Sequence, residues 1–131
     1  MYWRMPRIYF SVVDVFRVIT LDWDWDCTDF NPTTNKLIKS ISEHPNVKEI
    51  WYRCSANGHI HIKIVLHEPV DFWESIYLRS IWDDDANRIR MDIIRWWESG
   101  EVMRLWDMKL ICGEKEGCVL RKAGPWIRVN V

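Results

Sequence analysis

Two stretches of this sequence, Leu21-Asp22-Trp23-Asp24-Trp25-Asp26 and Gly58-His59-Ile60-His61-Ile62-Lys63-Ile64, alternate apolar and polar residues one by one. Successive side chains of a strand point to opposite faces, so this alternation is the mark of a strand with one buried side. The apolar side of each stretch can close a core. The other side carries carboxylates, imidazoles and a lysine. Such groups are costly to order side by side unless they are paired, solvated or bound to a metal. A soluble fold could use Thr, Lys or Glu there instead, which makes this pair of strands the leading functional signal.

The remaining elements fall around these two. Residues 8–25 read as a long strand or a hairpin, rich in Val, Ile, Phe and Trp. Asn31-Pro32-Thr33-Thr34 is a helix start, Leu37, Ile38 and Ile41 have helical spacing, and Pro45-Asn46 ends the helix. Residues 47–54 form a second strand, Ala56-Asn57-Gly58 turns the chain, and 59–66 return as a third. Pro69-Val70-Asp71 opens a helix that carries Phe72 and Ile76 and runs through Trp82. Asp83-Asp84-Asp85 breaks or recaps it, and a further helix reaches about Glu98 before Ser99-Gly100 stops it. Residues 102–111 make a fourth strand, and the chain closes with a C-terminal hairpin over 102–131.

This order is βαββαβ plus a hairpin. It predicts one α+β domain over residues 1–131, with its core in 8–110 and a ferredoxin-like or RRM-like antiparallel sheet carrying helices on one face. The usual strand order of that pattern, 4-1-3-2, makes strands 1 and 3 neighbours. Parity then places Leu21, Trp23 and Trp25 on the helix side with Ile60, Ile62, Ile64 and Leu66. Asp22, Asp24 and Asp26 share the open face with His59, His61 and Lys63. Strand 4, Met103-Arg104-Leu105-Trp106-Asp107, would flank strand 1 and add Asp107.

Carboxylates one strand-step apart can hold Mg²⁺ or Mn²⁺, which take oxygen ligands and neutralise charge in phosphoryl transfer. Histidine beside them can meet a phosphate or move a proton. The plainer reading is a solvated face on which the aspartates pair with Lys63 and the histidines across strands. A second candidate phosphate site is the helical face of Arg88, Asp92 and Arg95, where Asp92 would order an arginine pair. Its plainer reading is an exposed, salt-bridged helix. Ile89, Ile93 and Trp96 form the apolar stripe of that helix.

Composition narrows the partners. The 131 residues are 48% hydrophobic and 28% charged, a globular balance, and the net charge of -1 gives no bulk attraction to polyanions. Nucleic-acid binding would need a local basic patch or bound cations. No apolar run approaches the roughly 20 residues that span a bilayer. Met1-Tyr2-Trp3-Arg4-Met5-Pro6-Arg7 leads into strand-like sequence instead of a signal-peptide core. The expected compartment is the cytoplasm, without a membrane partner. Four cysteines offer no close Cys-x-x-Cys pair, so zinc is not expected. Cys112 and Cys118 flank a hairpin turn as reduced neighbours, a disulfide or half of a metal site, while Cys27 and Cys54 lie in different elements. Most of the ten tryptophans fall on core faces; Trp3 or Trp126 is expected to be exposed for base stacking, and Trp97 to mark a partner interface such as a homo-oligomer contact.

Ile19-Thr20-Leu21-Asp22-Trp23-Asp24 resembles the hydrophobic-Asp-hydrophobic-Asp motif of the archaeo-eukaryotic primase superfamily. Ser55-Ala56-Asn57-Gly58-His59-Ile60-His61 is similar to its Ser/Gly-rich turn into a His-bearing strand, and Leu105-Trp106-Asp107 to its third motif. The resemblance implies a minimal primase-polymerase core linked to replication. Asp22, Asp24 and Asp107 would be metal ligands, and His59 or His61 would meet the nucleotide or single-stranded nucleic acid. His59-Ile60-His61 also resembles the His-hydrophobic-His motif of HUH nucleases, which would make Tyr77 a DNA-attacking nucleophile. A non-catalytic RRM-like binding module is the reading from a different class. In its small size and tryptophan content the chain is similar to orphan proteins of viruses or plasmids of hyperthermophilic archaea; for a virus the compartment would be the host cytoplasm.

Overall fold

The computed structural model describes residues 15–28, 31–100, 105, 108–113, 115 and 117–130. Its elements are β1 (Val15–Trp23), α1 (Pro32–Glu43), β2 (Val47–Cys54), β3 (Ile60–Asp71), α2 (Phe72–Ile81), α3 (Ala86–Ser99), β4 (Met108–Gly113), β5 (Gly117–Lys122) and β6 (Ile127–Arg128). The class is α+β, an antiparallel sheet with helices on it and a C-terminal hairpin, as the ferredoxin-like and RRM-like pattern requires.

Register follows the alternation. β1 and β3 pair antiparallel, with Leu21 opposite Ile62, Asp22 opposite His61 and Trp23 opposite Ile60. On the other side of β3, Tyr52 of β2 faces Ile62, and Arg53 faces His61. A shift of one residue would turn the whole apolar set to solvent, so burial holds this register. Leu21, Trp23, Ile60, Ile62, Ile64 and Leu66 have no exposed surface at all, and they pack with Ile38 and Ile41 of α1 and with Leu78 and Trp82 at the end of α2. Each such side chain stabilises the fold by about 2 kcal/mol relative to exposure. The indole N–H of Trp23 donates to the Trp82 carbonyl at 2.9 Å, so the core tryptophan leaves no polar atom unmet. Trp25 stacks on Trp23 at 5.2 Å and donates to Thr34 Oγ1.

Helix limits obey their caps. Asn31 accepts from the Thr34 N–H to start α1, Asp71 from Glu74 to start α2, and Asp85 from Asn87 and Arg88 to start α3. Gly100, at φ 71°, closes α3 in the left-handed conformation that glycine adopts without a Cβ penalty. Pro69 and Val70 depart from the expected helix start: β3 continues through them to Asp71, and Val70 is buried.

The fourth strand is where expectation and structure part. The sheet runs β1-β3-β2-β6, not 4-1-3-2. β4 pairs with β5 in a separate ribbon, with Cys112 opposite Cys118; residues 102–107, apart from Leu105, lie outside the described residues. The outer edge of β1 is met by side chains instead. The Asp22 N–H donates to Asp84 Oδ1 at 2.8 Å, and the Thr20 carbonyl accepts from Arg88 Nη1 at 2.8 Å. Arg88 Nη2 also donates to Thr20 Oγ1. The turn between α2 and α3, with Arg88 from the start of α3, therefore satisfies the backbone groups of Thr20 and Asp22 that a flanking strand would have used.

Both cysteine pairs are disulfides, Cys27–Cys54 and Cys112–Cys118. The first was not expected, because Cys27 and Cys54 lie in different elements; they are 27 residues apart in sequence. It fixes the end of β2 to the segment that follows β1. A cross-link closing a loop of that length stabilises by about 3.5 kcal/mol.

Candidate functional site

Three segments converge at the end of β1. The strand supplies Asp22 and, just past its end, Asp24. The Ser55–His59 turn between β2 and β3 lies alongside, held there by the Cys27 N–H donating to the Gly58 carbonyl at 2.8 Å. Gly58 has φ 80°, so this tight turn needs glycine. The third segment is Asp83-Asp84-Asp85. Asp83 is left-handed at φ 60°, a conformation Asp tolerates better than most residues. Beyond it, Asp84 turns inward and Asp85 turns toward β1.

Asp22, Asp24 and Asp85 each bring a carboxylate oxygen within 4.8 Å of the others, a cluster able to hold a divalent cation. They line a pocket of about 220 Å³ together with Ser55, Ala56, Asn57, His59 and His61. Oxygen donors on both sides of an opening suit Mg²⁺ or Mn²⁺. Burial raises the pKa of the Asp22 carboxyl, and the neighbouring charge of Asp24 raises it further, against a lowering pull from Arg88. A group held this way gains most from a bound cation.

The histidines are employed differently. His59 is partly exposed, its Nδ1 3.9 Å from an Asp24 oxygen. His61 is buried, and Arg53 Nε donates to its Nδ1 at 3.0 Å. Arginine keeps its protons, so Nδ1 is the acceptor and the ring proton of the neutral imidazole sits on Nε2. That nitrogen lies 3.9 Å from an Asp22 oxygen. His61 thus presents a donor to the pocket, whereas chelation by a pair of histidines needs a lone pair there.

The expected residues divide accordingly. Asp22, Asp24, His59 and His61 are brought together. Asp26 is exposed and turns back to accept from the backbone and hydroxyl of Thr28, which lower its pKa. Asp107 lies outside the described residues. Asp85 stands in the cluster, a residue the sequence marked only as a helix cap.

Arg88 is buried, not displayed for phosphate; it is tied to Asp84 and Thr20. Asp92 is fully buried and meets Arg79 Nη1 at 2.8 Å, so Arg79, Asp84, Arg88 and Asp92 form one internal ionic network. Arg95 is exposed on α3 and does not line the pocket. Tyr77 is 62% exposed on α2, whose inner face packs on the helix side of the sheet, away from His59 and His61. Lys63 lies on the open face, where its Nζ sits over the rings of Trp51 and Trp126. Trp126 is half-buried, and Trp97 is 57% exposed.

No family model and no solved structure matches this chain. It is 30% identical over 97 residues to a protein named "Uncharacterized protein 30" of Sulfolobus islandicus filamentous virus (isolate Iceland/Hveragerdi), a match covering 71% of this chain and 36% of that protein. The chain thus spans about a third of the length of this relative. The likeness is a partial homology to an archaeal-virus protein, which carries no chemistry in its name. Among the described residues no helix is long and apolar enough to cross a membrane.

Proposed function

We propose that this chain is a metal-dependent, nucleic-acid-associated module that holds a divalent cation between Asp22, Asp24 and Asp85 and, through it, the phosphates of a nucleotide or nucleic acid. The carrying observation is the convergence of three carboxylates within 4.8 Å in a pocket that also holds His59 and His61. Mg²⁺ or Mn²⁺ is the fitting ion, since the donors are oxygens. It would remove the repulsion among the aspartates and offer open coordination positions to phosphate oxygens. His61, its Nε2–H directed to the pocket, would donate to an oxygen of that phosphate. The partial relative in an archaeal virus supports work on nucleic acid only by association.

Nucleotidyl transfer, the activity implied by the resemblance to primases, is the same reading with chemistry added. His61 beside the carboxylates is the feature that favours it, and incorporation of labelled nucleotide is its assay.

Calorimetric titration with Mn²⁺ tests the metal site. The intact chain should bind the ion, and Asp24→Asn should weaken binding by about tenfold or more, since one ligand is worth at least about 1.4 kcal/mol. Affinity should fall as pH is lowered, because Asp22 must be ionised to bind. Its raised pKa moves that loss to higher pH than for an ordinary aspartate. Absence of Mn²⁺ binding at neutral pH would sink the reading.

A further inference from the structure

The open face of the sheet is graded in composition. One cross-strand row runs Asp22, His61, Arg53, and the Arg53 guanidinium carbon lies 4.3 Å from the centre of the Trp126 ring. The next row runs Thr20, Lys63, Trp51, Arg128. The β1 side is acidic and forms the candidate metal pocket. The β2 and β6 side is aromatic and carries Lys63, Arg53 and Arg128, the last paired with Glu49 at 3.6 Å.

Trp126 covers this second region. Lys63 Nζ lies 4.7 Å from its ring centre, so both Arg53 and Lys63 reach the same indole from the sheet beneath it. Trp51 flanks Lys63 at 5.3 Å. The C-terminal segment is fastened in place: the Gly124 N–H donates to the Cys54 carbonyl and the Val129 N–H to the Ile50 carbonyl, each at 2.8 Å. A Cβ on Gly124 would meet the backbone of Cys54 at 3.7 Å, so this segment lies close against β2.

From this we infer that the Trp51–Lys63–Trp126 surface, with Arg53 buried beneath the Trp126 ring, is a binding track for a single-stranded nucleic acid leading into the carboxylate pocket. The inference rests on the metal-dependent reading for one end of the track only. Cations set against aromatic rings serve both parts of a single strand, since phosphates seek the charge and unpaired bases seek a flat ring. A duplex keeps its base faces stacked and cannot use the indoles. Neighbouring strands are about 4.8 Å apart, so the row from Asp22 to Arg53 spans about 10 Å, more than one nucleotide. The net charge of the chain is -1, so attraction to a polyanion has to come from such a local patch and a cation at the pocket.

Fluorescence anisotropy with a labelled oligothymidylate and a labelled oligouridylate, in Mn²⁺ and in EDTA, tests the track on the intact chain. Trp126→Ala should weaken binding of the single strand about tenfold by loss of a stacked base, and Trp126→Phe should keep most of the affinity. Both variants should bind Mn²⁺ like the parent chain, which also shows that they fold. Lys63→Gln should reduce the salt dependence by about one released ion. Tighter binding of either polymer supports the same surface. The inference is overturned if Trp126→Ala and Lys63→Gln bind both polymers as tightly as the parent. It is also overturned if the Mn²⁺-loaded chain binds neither polymer. Mn²⁺ binding that survives those results would leave the metal site standing and remove only the track.

Discussion

Asp84 and Asp85 are neighbours in sequence and opposites in employment. Asp84 is enclosed: its two oxygens accept from Arg79, Arg88, the Asp85 N–H and the Asp22 N–H. Two arginines balance two aspartates in the network behind β1. Asp85 reaches the front of the same strand, where it joins Asp22 and Asp24 with no arginine among the pocket-lining residues. Residue type is the same on both sides. Pairing makes one region a scaffold, and the shortage of positive partners among the described residues makes the other a candidate site.

The widest separation between the two regions should come from Asp84→Ala. Removing one side of a buried ion network leaves charges uncompensated and costs about 3–5 kcal/mol. Urea unfolding should show that loss, and a cost below about 1 kcal/mol would mean the network contributes little. Asp85→Ala should cost about 1 kcal/mol, the value of a lost helix cap, and should weaken Mn²⁺ binding as well. Asp85→Ser separates these effects: serine caps the helix and restores stability, while Mn²⁺ affinity stays low. Full recovery of Mn²⁺ affinity in Asp85→Ser would take Asp85 out of the metal site.

Asp22→Asn should have the smallest effect and the opposite sign. Burial raises the pKa of this carboxyl above its unfolded value, so its contribution to stability is present in full when it is protonated. That contribution is lost as pH rises through the folded pKa. At neutral pH the ionised carboxylate therefore opposes folding in the absence of metal, and Asp22→Asn should raise the melting temperature slightly. The gain should vanish in acid. A variant that is less stable than the parent at neutral pH would show that Asp22 has a structural partner like those of Asp84.

Much of the fold is local and was readable. The limits of α1 are written in Asn31 and Pro45, those of α3 in Asp85 and Gly100, and β2 occupies the expected residues 47–54. The site was half readable. Asp22 and His61 could be set on one face because a period of two leaves each strand only two sides, while their pairing directly opposite each other came from the register of β1 on β3. The Arg88 and Asp92 face misled, since spacing of four marks a helical face without saying whether solvent or protein covers it. Here protein does, and the two residues line up with Trp96 on the buried side of α3.

By itself, then, the sequence determined which side chains of the two alternating strands share a face, because that parity is imposed by the backbone of each strand. Tertiary structure alone decided what stands beside them. Asp85, Arg53 and the Cys27–Cys54 bond reach the site from other elements, through the docking of the α2–α3 turn on the edge of β1 and the pairing of β2 with β3. Such meetings depend on how separate elements pack, and no short-range pattern encodes them.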